Sequence, residues 1–133
     1  MNFQLGVGDI LELSRLAWDV YTMFTAYKDA PEDFRNISDE IKSLHIIVDR
    51  NKHKFQDKAL NSDEQVQLQE ILQGCTNVLR DLDKLRTKYM SLGSAQGSSS
   101  QAIDRIKLTQ ENITELRARL TSNTMLLNTF IAR

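Results

Sequence analysis

The sequence predicts an all-α protein, a single-domain antiparallel up-down four-helix bundle. Three observations predict it. Apolar residues recur at three-, four- and seven-residue spacing in four segments, residues 7–27, 31–58, 62–92 and 101–131. Five Gly and one Pro in 133 residues are too few turn-formers for many short elements. No segment shows the apolar-polar alternation of a half-buried strand. A chain of this length suits one domain and buries roughly two thirds of its unfolded surface. Four long helices with short connections lead to the up-down-up-down arrangement.

The first helix has Asp9 in its opening turn, where the helix dipole favours an acid. One stripe is Ile10, Leu13, Ala17, Val20, Phe24 and Tyr27; a second is Val7, Leu11, Trp18 and Tyr21. Together they make a face too wide for one neighbour to cover. The chain breaks at Lys28, Asp29, Ala30 and Pro31. Pro31 fits the first position of the second helix, with Glu32 and Asp33 in the first turn. That helix carries Phe34, Ile37, Ile41, Leu44, Val48 and Phe55, and Lys52, Lys54 and Lys58 come late, as the dipole prefers.

Ser62, Asp63, Glu64 and Gln65 read as a capping box opening the third helix. Its stripe runs from Leu68 to Leu92 and includes Cys75. Gly74 sits inside it at a cost of roughly 1 kcal/mol against Ala, which a close helix approach would explain. Residues 93–100 form the one low-complexity segment and read as a flexible loop. In the fourth helix Ile106, Ile113, Leu120 and Leu127 repeat every seven residues, while Thr109, Asn123 and Thr124 interrupt the seam. Polar seam residues of this kind set register or contact another helix. The stripe runs to the last residues with no closing cap, so further domains are expected beyond it.

The chemistry of this chain is expected to be non-enzymatic, with no cofactor and no metal. No G-x-x-x-x-G-K-[ST] loop occurs, and Gly6-Val-Gly8 follows no strand, so it reads as a helix start. His45 and His53 lie roughly 80° apart on a helix and read as surface histidines. Cys75, the single cysteine, falls in an apolar stripe with no activating base beside it in sequence and reads as an inert buried thiol. The charged runs Asp81, Asp83, Lys84, Arg86, Lys88 and Glu111, Glu115, Arg117, Arg119 read as solvated faces. A net charge of −1 gives no reason to expect nucleic-acid binding. Asp9, Glu12 and Arg15 interrupt the first apolar segment, which does not have a signal-peptide pattern.

Several segments together resemble a known family. They are Gly6-Val-Gly-Asp9 ahead of an apolar helix, Ala30-Pro-Glu-Asp-Phe-Arg35, Ile37-Ser-Asp-Glu-Ile-Lys-Ser-Leu44, the run from Ile113 to Thr124, and Leu126-Leu-Asn-Thr-Phe130. In order and spacing they resemble the HeLo-like (HELL) domain at the N-terminus of fungal STAND-type, NLR-like immune receptors. The family is grouped with the bundles of plant coiled-coil immune receptors and of the necroptosis pseudokinase. The resemblance implies a cytoplasmic effector that oligomerises with its own kind to trigger regulated cell death or heterokaryon incompatibility. It also implies association with plasma-membrane lipids on activation, and a nucleotide-binding or repeat domain downstream in the same chain. Carried over residue by residue, an oligomer or membrane face would fall on Gly6, Gly8, Ile10, Leu11, Leu13, Trp18 and Phe24. Core packing remains open for Trp18. The alternative is an adaptor bundle that recruits partners without membrane action. The first helix alone is a poor spanning helix: Asp9, Glu12 and Asp19 stand against one Arg15, and each charge at the bilayer centre costs about 3 kcal/mol.

Overall fold

A computed structural model describes the backbone of residues 7–26, 32–57, 60–94 and 99–132, and within these the side chains outside 7–9, 33, 56–57, 89–94 and 99–111. Four helices follow in order: α1, Val7–Thr25; α2, Glu32–Asp57; α3, Ser62–Ser94; α4, Ser99–Ile131. Among the described residues there is no strand. Tyr27, expected to end the first helix, Pro31, expected to open the second, and Lys58, expected to end it, lie outside the described residues. α3 runs two residues further than its stripe predicts, and α4 begins two earlier. Once a turn is formed, each added residue gains a backbone hydrogen bond, so Gly93 and Ser99 extend helices that their side chains do not favour. The rest of the expected loop, residues 95–98, lies outside the described residues.

The start of α3 corrects the sequence reading by one residue. The cap is Asn61, not Ser62. Asn61 Oδ1 accepts the Glu64 N–H at 2.8 Å, and Glu64 Oε1 accepts the Asn61 N–H at 3.1 Å. This is the reciprocal capping box, shifted because Asn caps as well as Ser does and Glu64 stands three residues after it. Gln65 Nε2 donates to the Leu60 carbonyl at 3.1 Å and fastens the entering chain. Asp63 and Glu64 in the first turn also suit the dipole.

The stripes meet in one core. Ile10, Leu13, Ala17, Val20 and Phe24 of α1 face Phe34, Ile37, Ile41, Leu44 and Val48 of α2. α3 contributes Leu68 through Leu85, Cys75 included; α4 contributes Ile113, Leu116, Leu120, Leu127 and Phe130. α1 packs most closely on α2, and α3 on α4; α1 also meets α3, and α2 meets α4. Phe24 and Phe34 touch edge to face at 5.3 Å, and Phe55 lies 6.4 Å from Phe130. Ser38, one of two buried polar side chains among those described, donates to the Phe34 carbonyl at 2.8 Å and leaves no orphaned hydroxyl proton.

α3 and α4 approach closely at Gly74. A Cβ there would run into the Asn123 amide oxygen. Asn123 Nδ2 donates to the Arg119 carbonyl at 2.8 Å, which holds the amide against the glycine. Thr124 Oγ1 instead donates to the Leu120 carbonyl of its own helix at 2.7 Å. The Thr109 side chain lies outside the described residues. The charged runs are not simply solvated. Arg117 Nε reaches Glu40 Oε1 at 2.7 Å, joining α4 to α2, and Arg119 Nη1 reaches Asp81 Oδ2 at 2.8 Å, joining α4 to α3. Both arginines flank the α4 stripe, and helix register brings a carboxylate within their reach.

Two stability measurements check this packing. Leu79→Ala or Leu116→Ala should each cost about 2–5 kcal/mol in denaturant unfolding, as large-to-small core changes do. A loss below about 0.5 kcal/mol would show that the stripe does not carry the core. Gly74→Ala should be close to neutral in the wild type, since a helix-propensity gain of about 1 kcal/mol is offset by displacing Asn123. In an Asn123→Ala background the same change should stabilise by about 1 kcal/mol.

Candidate functional site

The surface feature that stands out is centred on Trp18. α1 turns Ile10, Leu13, Ala17, Val20 and Phe24 inward, and the helical period then places Leu11 and Trp18, seven residues apart, together on one outer flank. Leu11 is 41% exposed and Trp18 47%. Trp18 is not a loose side chain. Its ring stacks on Tyr21 at 5.5 Å with an interplanar angle of 29°, and on the other side meets the His45 ring of α2 at 5.2 Å. Lys42 Nζ stands 5.8 Å from the Tyr21 ring centroid, within cation–π range.

His45 is the keystone of this cluster. Its Nδ1 lies 3.0 Å from the Ser14 carbonyl oxygen. A carbonyl can only accept, so Nδ1 carries the proton and the ring plane is fixed. The histidine expected at the surface is half-buried and joins α2 to α1. One turn further on, Asp49 is held below the ordinary carboxylate range, chiefly by a hydrogen bond from Lys52 Nζ at 3.0 Å. The charge of Lys52 acts in the same direction. Trp18 therefore presents a held aromatic edge beside Leu11, with a polar rim of Lys42 and His45. Amphipathic aromatics anchored in this way suit contact surfaces, because little rotamer freedom is lost on binding.

The seven residues carried over from the resemblance do not share one surface. Leu11 and Trp18 are exposed; Ile10, Leu13 and Phe24 are buried in the core. Gly8 lies in the first turn of α1, and Gly6 lies outside the described residues. Tyr21, Lys42 and His45 were not singled out for this role in the sequence. The helical spacing puts Tyr21 on one stripe with Leu11 and Trp18; nothing in the sequence links His45 to Ser14. Among the described residues no group of three or more His, Cys, Asp or Glu could hold a metal ion, and no helix is long and apolar enough to cross a membrane. Cys75 is fully buried, and burial pushes its thiol up to about 12. No family model, curated protein or solved structure matches the chain.

The Cys75 thiol makes stability depend on alkaline pH. The folded chain keeps this proton until about 12, while an unperturbed thiol releases it near 9.0. The unfolded state thus binds fewer protons between those values, and stability present below pH 9.0 is lost as pH rises toward 12. The slope should approach about 1.4 kcal/mol per pH unit. Denaturant melts of wild type and Cys75→Ala across that range check it: the difference between the two should shrink as pH rises, and a constant difference would refute it.

Proposed function

We propose that this chain is a non-enzymatic effector or signalling bundle that acts by self-association through the outer flank of α1. In this reading it works as HeLo-like domains of fungal STAND-type receptors do, as a cytoplasmic homo-oligomer that triggers regulated cell death. A nucleotide-binding or repeat domain of the same chain would control it, and plasma-membrane lipids would be its target on activation. The observation that carries the proposal is the Leu11–Trp18 flank, apolar and aromatic, exposed, and pinned by Tyr21 and His45.

The up-down-up-down arrangement belongs to the same proposal. Phe24 meets Phe34 while Ser14 meets His45. Gly74 faces Asn123 while Asp81 meets Arg119. In both sets residue numbers rise along one helix as they fall along the other. Along α2 and α4 they rise together, from Glu40–Arg117 to Phe55–Phe130.

Burial divides the action into two stages. Of the five carried-over residues whose side chains are described, only Leu11 and Trp18 are available for docking in the closed bundle. Engaging Ile10, Leu13 and Phe24 requires α1 to leave the core. Exposing those three side chains costs about 5–9 kcal/mol together, which clustering would have to supply. A second reading is an adaptor bundle that recruits partners through the same flank and never acts on a membrane. The charges of α1 favour it, since Glu12, Arg15 and Asp19 are exposed on the helix that would insert.

Leu11→Glu and Trp18→Glu should abolish clustering, measured by sedimentation, and cell death on overexpression in a fungal host, with circular dichroism confirming the fold. His53→Ala and Cys75→Ala, tested beside them, should retain both. Killing retained in both helix-one variants would remove the proposal. Clustering without killing or membrane localisation in the parent chain would establish the adaptor reading.

A further inference from the structure

α1 meets α3 less closely than it meets α2, and the seam between α1 and α3 opens into a cleft of about 320 Å³. Leu13 and Leu72, both core residues, form its floor, and Leu16 forms one wall. Arg15 of α1 and Arg80 of α3 both line it. Arg86, Arg117 and Arg119 each hold a carboxylate. Arg15 and Arg80 form no ion pair with a described residue, although Glu12 lines the same cleft. The remaining polar lining is partly committed. Thr76 Oγ1 donates to the Leu72 carbonyl at 2.9 Å, and Gln73 Nε2 donates to Asn77 at 2.9 Å.

We infer that this cleft binds a monoanionic carboxylate carrying a small aliphatic body. Two guanidinium-bearing side chains, one from each helix, give the cleft the donors that carboxylate recognition uses. Glu12 leaves the cleft one net positive charge, which suits a single negative charge and disfavours a dianion. The leucine floor takes an apolar group and gives nothing to an inorganic anion. A volume of about 320 Å³ lies at the small end of ligand sites, so the body is a short one. The same chemistry has two sources: a free short-chain acid, or an acidic side chain beside a leucine in a protein partner. The inference does not rest on the effector reading.

The test is a titration of the isotope-labelled 133-residue chain followed by amide resonances. One arm uses 4-methylpentanoate, the other an acetylated leucyl-glutamyl peptide amide. At least one should shift amides around Leu13, Leu16, Leu72 and Thr76 at about 1 mM. Tighter binding by the acid points to a small molecule, and tighter binding by the peptide points to a protein partner; both support the site. Arg15→Gln and Arg80→Gln, surface changes that leave the core intact, should each weaken binding about tenfold, and Glu12→Gln should strengthen it. Equal shifts with neutral 4-methylpentanamide, equal binding of inorganic phosphate, or no shifts with either carboxylate up to about 20 mM would overturn it.

Discussion

Each of the four helices carries an apolar stripe that no single neighbour can cover, and burying all four at once is what the structure depends on. α1 needs α2 and α3; α4 needs α3 and α2. An isolated helix of this length is marginal in water, so packing, not propensity, holds the helices. Among the described residues α3 supplies the most core side chains, eight from Leu68 to Leu85. The contact at Gly74 lets α4 lie close to it, with an asparagine amide seated where any other residue would place a side chain.

The ion pairs have a different role. Glu40–Arg117 and Asp81–Arg119 are partly exposed, and pairs of that kind contribute little, on the order of 0–1 kcal/mol. Their effect is on register. A one-turn slip of α4 moves its stripe by roughly 5 Å, separates both arginines from their acids and drives Asn123 away from Gly74. Apolar packing tolerates such a slip more readily than these directional contacts do.

Much of this was legible in the sequence because the core is written in periodicity. The inward positions from Ile10 to Phe24 and from Phe34 to Val48 follow from spacing alone, as does the buried thiol of Cys75. What was not legible depends on how one helix is set against another. The pairing of His45 with the Ser14 carbonyl spans 31 positions, and that of Arg117 with Glu40 spans 77. No local pattern encodes either. The capping box was misplaced by one residue because Asn61 and Ser62 are equally good caps and only geometry chooses between them. For the candidate site, the wide face of α1 and its two stripes were visible, with Leu11 and Trp18 on the outer one, but the rings and side chains of α2 that border them were not. Residues one position apart, Ile10 and Leu11, fall on different stripes, the first buried and the second exposed.

The joints of α1 differ in kind from those of α4. Among the described residues no ion pair ties α1 to another helix; it is held by apolar contact, ring contacts around Trp18, a cation–π contact and the hydrogen bond from His45 to the Ser14 carbonyl. Ionic strength, which screens exposed charge pairs, therefore bears on the seams of α4 and largely spares those of α1. Cooling acts the other way, since apolar attachment weakens as temperature falls while ion pairs do not share that dependence. The shortest helix of the bundle is thus also the one whose grip is set by temperature and not by salt.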